Sequence, residues 1–255
     1  MAVAMQPDAR PMPPGPWSAG EWQVRCDLAA ACRLFQQLGW DDLVYTHLSA
    51  RVPGDAARFL INPYDLMFDE VTASSLVAVD PEGQPLEPGA LNPAGFTIHA
   101  GIYAARPDVL AVVHLHSPAG SVVSTLAEGL LPLHQFSMQF HDRIAYHSYE
   151  GLALDAAEGD RLATDLGTRW AMILRNHGLL TAGRSVSEAF TLLYYLEQAC
   201  RIQAAALATG RPLVLPSPEI CERTARQYEE DGQPGAREGP ALLRRLARAG
   251  IDYAR

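Results

Sequence analysis

The chain has 255 residues, of which 48% are apolar, and its 29 acidic and 20 basic side chains give a formal net charge of −9. This length predicts one large domain or two small ones, with enough apolar side chains to bury a sizeable core. The acidic balance argues against a nucleic-acid or anionic-membrane partner, because both attract basic surfaces. Every basic residue is arginine, which excludes a Schiff-base lysine, a phosphate-loop lysine and a pyridoxal-phosphate anchor.

Cysteine usage and the N-terminal segment bear on the cellular compartment. The four cysteines, at positions 26, 32, 200 and 221, form no CxxC pair and are expected to be reduced core residues. Residues 1–18 are rich in proline, which predicts a mobile arm. This segment lacks the apolar stretch of a secretion signal, and no later run approaches the about 18 apolar residues of a membrane span. We therefore expect a cytoplasmic protein.

Helical and strand-like patterns alternate along the chain. In order, they predict a helix from Ser18 to Gly39, strands at 43–52, 58–62 and 75–80, a helix at 94–107, a strand at 109–116, a helix from Ser117 to about Leu126, a strand at 143–149, a helix at 155–167, a strand at 170–176 and a long helix at 186–208. Such alternation predicts one α/β domain over residues 19–212. Residues 213–255 are expected to form a helical extension that packs on the domain or on a neighbouring subunit.

Three histidines lie where two predicted strands end. His114 and His116 are two residues apart in "VLAVVHLH", so their side chains point to the same face. His177 follows a second apolar strand in "ILRNHGLL", where the glycine permits a tight turn. If the strand ends meet, three neutral imidazoles can bind one metal ion and leave a position open for water or substrate. The alternative is that the histidines simply pack in the core.

The other histidines carry weaker signals. His99 has apolar neighbours in a predicted helix and is expected to be a hydrogen-bonded core residue. His141 and His147 lie near Asp142 and Glu150 in "QFHDRIAYHSYEG", a polar and aromatic segment. That segment either approaches the histidine cluster or forms an ordinary loop.

Five sequence blocks, in order, resemble the class II aldolase/adducin family: "THLSARVPG", "FLINPYDLMFDEVTASSLVAVD", "NPAGFTIHAGIYAARPDVLAVVHLHSPAG", "IAYHSYEG" and "ILRNHGLLTAGRSVSEAF". The resemblance covers about residues 20–210 and is greatest to the adducin head-domain subgroup. It implies a three-layer α/β/α sandwich around a mixed, largely antiparallel sheet. It also implies a homo-oligomer, with a tetramer favoured, and active sites at subunit boundaries.

The resemblance assigns His114, His116 and His177 as ligands of one divalent metal ion per subunit. Zinc is the first expectation, with manganese, cobalt or iron as alternatives. In the family's enzymes such an ion acts on small-molecule substrates.

Several positions depart from the aldolase pattern. Gly95 stands where the aldolases carry an acid/base glutamate, and Pro93 and Ala94 replace two phosphate-binding serines. Tyr64 and Asp65 stand in the earlier phosphate-binding turn, where an anionic Asp65 would repel a phosphate. These changes disfavour a sugar-phosphate aldolase. They also predict a larger and less acidic metal cavity beside Gly95.

The resulting hypothesis is a metal-dependent carbon–carbon lyase, of the decarboxylase or aldolase type, acting on a non-phosphorylated 2-oxo or 2-hydroxy carboxylate through an enolate. The candidate proton carriers are His141, Asp142 and Tyr146, and the candidate substrate-binding residues are Asn62, Tyr64 and Asp65. The alternatives are an adducin-like binding or assembly module without catalysis and a non-haem iron oxygenase on the same three histidines.

Overall fold

The computed structural model describes residues 15–255, which form eight α-helices and seven strands. The helices are α1 (Ala19–Leu38), α2 (Pro93–Ala105), α3 (Pro118–Ser124), α4 (Gln135–Met138), α5 (Ala156–Leu166), α6 (Val186–Ala208), α7 (Pro218–Glu230) and α8 (Glu238–Arg248). The strands are β1 (His47–Val52), β2 (Asp55–Ile61), β3 (Val77–Val79), β4 (Ala111–Leu115), β5 (Ile144–His147), β6 (Ala171–Leu174) and β7 (Gly178–Gly183).

All seven strands join one sheet in the order β3-β2-β1-β4-β7-β6-β5. The β5–β6 pair is parallel and every other pair is antiparallel. Strand β4, which carries the first of the HxH histidines, is the central strand. The predicted mixed, largely antiparallel sheet is therefore confirmed.

Each face of the sheet carries a separate apolar core. One core joins the sheet to α1, α3, α6 and α8, and the other joins it to α2 and α5. Because side chains alternate along a strand, Val113 and Leu115 point into the first core while Val112 points into the second. The predicted three-layer α/β/α architecture is confirmed.

Most of the predicted elements are present, and one omission matters for the site. The first helix begins at its Ser18 cap, whose Oγ accepts from Glu21 N at 3.1 Å, and ends at Gly39 with φ 68°. Strand β7 was absent from the predicted elements. It begins and ends with glycine, and glycine disfavours strands. Pairing with β4 and β6 on its two sides stabilises it despite this composition.

The segments near both ends of the described chain pack against the central domain. Residues 1–14, most of the predicted mobile arm, lie outside the described residues. The Trp17 ring stacks on Trp22 with centroids 5.3 Å apart, and Trp17 Nε1 donates to Glu87 at 2.8 Å. In the C-terminal extension, α7 packs on α4 and α8 packs on α1 and α6. The boundaries at residues 18 and 212 stay predictions.

Two further expectations concern the cysteines and the membrane. All four cysteines are buried, as predicted, and no disulfide joins any two of them. Among the helices of residues 15–255, none combines the length and apolar character needed to span a bilayer.

A buried arginine joins the N-terminal helix to the edge of the sheet. The Arg25 side chain is fully buried and donates from Nη2 to both carboxylate oxygens of Glu87, at 2.7 and 2.6 Å. Its Nε donates to Glu21 at 3.0 Å and its Nη1 to the Leu76 carbonyl at 2.9 Å. A buried guanidinium needs such partners, because an unpaired buried charge is strongly destabilising.

Arg25→Ala should lower the free energy of unfolding by about 3–5 kcal/mol, because it leaves the Glu87 carboxylate partly buried without its cation. Urea denaturation measures the change. Arg58→Ala is the matched control, because the half-exposed Arg58 pairs with Asp55 at 2.7 Å and such a pair contributes at most about 1 kcal/mol. If both variants lose the same free energy of unfolding, the burial of Arg25 does not determine how much its ion pair stabilises the fold.

Candidate metal centre

The HxH segment and the later histidine come together because β4 pairs with β7. Leu115 of β4 lies opposite Leu179 of β7 in the antiparallel register. The tight turn between β6 and β7 therefore lies beside the end of β4. His177, in that turn, reaches His114 and His116, as the sequence predicts.

The turn owes its shape to two residues with different roles. Asn176 has φ 56°, a left-handed conformation that asparagine tolerates better than most residues. Gly178 is required for a different reason: a Cβ there would lie 2.5 Å from the Leu115 carbonyl oxygen. The expectation that the glycine provides the turn is therefore wrong. Asn176 makes the turn, and Gly178 permits the close approach of β7 to β4.

The three imidazoles present their Nε2 atoms to one point. His114 Nε2 and His116 Nε2 are 3.0 Å apart, and His116 Nε2 and His177 Nε2 are 2.9 Å apart. Two nitrogens bound to one tetrahedral Zn²⁺ at about 2.0–2.1 Å would be about 3.3 Å apart. Among residues 15–255, this is the one group of three or more histidine, cysteine or acidic side chains close enough together to bind a metal ion.

Hydrogen bonds on the opposite ring nitrogens fix the tautomers. His114 Nδ1 donates to the Leu179 carbonyl at 3.0 Å, and His116 Nδ1 donates to Asp42 Oδ2 at 2.8 Å. With the proton on Nδ1, each neutral ring directs an Nε2 lone pair at its neighbour. A cation between these nitrogens converts that repulsion into coordination, so the residues fit a divalent metal, with three protein ligands and an open fourth position.

Burial keeps these ligands neutral. Desolvation lowers the pKa of His114 well below its usual range, and the nearby His177 lowers it further. Desolvation, helped by His116, likewise lowers the pKa of His177 to about 4. Both rings are consequently unprotonated at neutral pH, which is the form that binds a metal.

A buried carboxylate from the opposite layer stabilises the chain just after the ligands. Glu197 of α6 accepts from Ser117 Oγ at 2.6 Å and from the backbone N–H groups of Ala119 and Gly120 at 3.1 and 2.7 Å. It thus caps the N-terminus of α3 in place of Ser117, the predicted cap residue. No local pattern points to this role of Glu197, since it lies 80 residues from Ser117.

A fourth histidine fills the space beside Gly95. A Cβ at residue 95 would lie 2.9 Å from Cδ2 of His47, whose ring stands 4.8 Å from that of His114. The prediction of a larger cavity at Gly95 is therefore wrong, because the His47 ring occupies that volume. His47 is not among the residues predicted for the site, although it lies on the neighbouring strand β1 and directly faces His114.

A chain of buried polar groups continues from His47 into the α2 layer. His47 Nδ1 lies 2.8 Å from His99 Nε2, and His99 Nδ1 contacts Ser49 Oγ. Ser49 Oγ in turn lies 2.8 Å from the Tyr103 hydroxyl. The prediction that His99 is a hydrogen-bonded core residue is confirmed, and burial lowers its pKa to about 3.

The predicted substrate-binding residues lie near the start of β1. The Asn62 side chain accepts from Leu48 N at 2.8 Å and donates to the Thr46 carbonyl at 3.3 Å, so it braces the backbone. Tyr64 meets Tyr45 edge-on at 6.0 Å, and Asp65 is exposed. A substrate-binding role for these residues stays a prediction.

The predicted proton carriers do not join the histidine cluster within this chain. His141 and Asp142 precede β5, whose start pairs with the start of β6, at the edge of the sheet opposite His177. Tyr146 faces the α6 layer, where its hydroxyl accepts from Leu130 N at 3.0 Å. Their assignment as proton carriers also stays a prediction.

Asp42→Ala should weaken zinc binding about 10–100-fold, because it removes the acceptor that orients His116. Competition titration with a chromophoric chelator measures the affinity. Asp41→Ala removes the same charge from the neighbouring position and is the matched control. If both variants lose affinity equally, general electrostatics rather than the Asp42–His116 hydrogen bond determines binding.

Gly95→Ala should destabilise the protein by about 1–3 kcal/mol, because the new methyl overlaps His47. At an unobstructed helical position the same change stabilises by about 0.5–1 kcal/mol. Gly20→Ala in α1 is such a control, since its Cβ would meet nothing closer than 3.6 Å. In a double-mutant cycle with His47→Ala, the double variant should be more stable than the summed single effects predict. Simple additivity would mean that residues 47 and 95 are not in contact.

Comparisons with known proteins agree with this fold. A family model described as the class II aldolase and adducin N-terminal domain matches residues 26–204. A Caulobacter vibrioides protein named "Putative aldolase class 2 protein" is 47% identical over 244 residues, which is 94% of this chain and 95% of that protein. Alpha-adducin of Mus musculus is 41% identical over 252 residues, covering 92% of this chain but 34% of the adducin.

Solved structures give the same result. An aldolase II superfamily protein from Pseudomonas syringae is 48% identical with a TM-score of 0.90, covering 94% of this chain and 98% of that one. An L-fuculose 1-phosphate aldolase from Glaciozyma antarctica PI12 is 30% identical with a TM-score of 0.81, covering 95% of this chain and 96% of that one. With a family model matched over most of its length and close relatives aligned nearly end to end, the chain belongs to the class II aldolase/adducin family.

Proposed function

We propose that this protein is a metal-dependent carbon–carbon lyase that acts on a non-phosphorylated 2-oxo or 2-hydroxy carboxylate. The observation that carries the proposal is the convergence of three Nε2 atoms, with the His114 and His116 tautomers fixed by Leu179 and Asp42. Such a site would hold one Zn²⁺ per chain, with manganese, cobalt or iron as less favoured occupants.

The bound ion would supply Lewis acidity, stabilising the enolate that forms when a carbon–carbon bond breaks. The chain's own residues orient the site: Asp42 holds the His116 ring, and Glu197 holds the turn that follows it. Decarboxylation and retro-aldol cleavage share the enolate, so the reaction type follows from the substrate.

The turn near the start of β1 disfavours a phosphate group on the substrate. Asp65 places an exposed carboxylate there, which repels a phosphate, and the Asn62 amide is already bonded to backbone groups. By contrast, an L-fuculose 1-phosphate aldolase is among the relatives. A sugar phosphate is therefore included in the test as the comparator substrate.

Adducin-like assembly without catalysis is the second candidate, favoured by the 41% identity to alpha-adducin. The three convergent imidazoles favour the enzyme, because a scaffold has no need of an open metal site. The chain spans about a third of alpha-adducin's length, and a shared fold does not by itself carry a relative's function.

We further propose a homotetramer in the cytoplasm. Exposed apolar side chains lie on the two loops beside the cluster, including Leu43, Tyr45, Tyr149, Leu152 and Leu154. An apolar rim of this kind favours contact with another subunit. The four thiols form no disulfide with one another, which is consistent with a reducing compartment.

The decisive experiment combines metal analysis with a substrate screen. Purified protein should contain one divalent ion per chain and cleave a 2-oxo or 2-hydroxy acid equally well with and without oxygen, with no turnover of L-fuculose 1-phosphate. His116→Ala should lose both the ion and the activity. Oxygen-dependent turnover would instead identify an iron oxygenase, and stoichiometric metal without any turnover would favour the assembly module.

A further inference from the structure

Another buried histidine, His147, lies close to the proposed metal ligands. His147 ends β5 and is 4% exposed. It pairs in parallel register with Leu174 of β6, three residues before the ligand His177. Ala145, two residues before His147 on β5, belongs to the α2–α5 core, whereas the intervening Tyr146 packs against the core on the opposite face. By strand alternation, His147 therefore points into the same layer as His114.

The two ring nitrogens of His147 have different environments. Nδ1 lies 2.8 Å from Oδ2 of Asp165, on the last turn of α5. Nε2 is buried and has no hydrogen-bond partner among residues 15–255. The carboxylate holds the proton on Nδ1, which leaves an Nε2 lone pair free. An unpaired buried polar atom costs about 1–3 kcal/mol, and such an atom in a native fold points to a use beyond packing.

His147 and His177 line the same narrow cavity. The space open to the centre of a water-sized sphere is about 10 Å³, which is the lower limit for a cavity that holds one water molecule. Tyr149 and Glu158 also line it. Burial raises the pKa of Glu158 above its usual range. The cavity thus links an acceptor nitrogen to the ring of a metal ligand.

Resting on the proposed lyase function, we propose that His147, oriented by Asp165, relays protons to and from the substrate through one water molecule in this cavity. In retro-aldol cleavage the water takes the substrate's hydroxyl proton and gives one of its own to Nε2. The O–H electron pair forms the carbonyl of one product, and the electron pair of the broken C–C bond passes into the enolate. The enolate carbon then takes the proton from Nε2 back through the same water. Exchange of a carbon-bound proton uses the same two transfers, with the C–H electron pair passing into the enolate. His147 thus replaces the proton carrier that Gly95 cannot provide.

Charges around His147 suit this role. The Asp165 carboxylate balances the imidazolium that forms after proton uptake, and Glu150 and Glu158 lie near enough to interact electrostatically with it. Arg175 lines the cavity, but its guanidinium is directed to the carbonyls of Leu126 and Ala127. The positive charge of Arg175 is thus directed to these carbonyls and away from the His147 ring.

His147→Asn tests the proposal, because asparagine can keep the hydrogen bond to Asp165 while removing Nε2. Two rates are measured: turnover of the best acid from the screen, and exchange of pyruvate methyl protons with D₂O followed by NMR. We expect the variant to keep one zinc ion per chain and its unfolding free energy, while both rates fall about 10²–10⁴-fold. Asp165→Asn, at a half-exposed position, should keep the fold and lower both rates.

His134→Asn is the matched control, since His134 caps α4 through Nδ1 far from the cavity and asparagine preserves a cap. It should leave metal content and both rates unchanged. Wild-type rates in both His147→Asn and Asp165→Asn would overturn the relay while leaving the lyase function standing. If the wild-type protein shows neither turnover nor exchange, the proposed function fails and the relay fails with it. Loss of zinc in His147→Asn would assign His147 a structural role and overturn the relay.

Discussion

The antiparallel pairing of β4 with β7 is the constraint on which the candidate site depends. The pairing places the turn that carries His177 beside the end of β4. The carbonyl of Leu179, a residue of this same pairing, also accepts the His114 Nδ1 proton. One strand contact therefore sets both the distance between ligands and the tautomer of the most buried one.

The two helical layers contribute differently to that site. The face of the sheet that α2 and α5 cover carries the polar groups near the cluster, namely the His47–His99 chain on one side and His147 with Asp165 on the other. The opposite layer supplies the buried Glu197, which secures the backbone after His116. The polar groups near the cluster and the carboxylate that stabilises the backbone thus lie on opposite faces of the sheet. The glycine at position 95 allows the first arrangement, because any side chain there would displace His47.

Local patterns made the helices and the ligands predictable from the sequence. Alternation places His114 and His116 on one face, and the Ser18 and Gly39 caps mark the ends of the first helix. Contacts between distant residues were not predictable in this way. Asp42 lies 74 residues from His116, and Asp165 lies 18 residues from His147. Strand β7 escaped detection because its stability comes from its neighbours on both sides and little from its own glycine-flanked sequence.

The central position of β4 has a consequence for how the protein would take up its ion. Three strands lie on each side of β4 in the sheet order. Its amides should therefore be among the slowest to exchange with solvent, opening only when the domain unfolds globally. Because the fold holds two of the ligands in place beforehand, loading requires little conformational ordering. Metal uptake should accordingly resemble docking into a finished cavity, in contrast to small zinc domains that fold only around their ion.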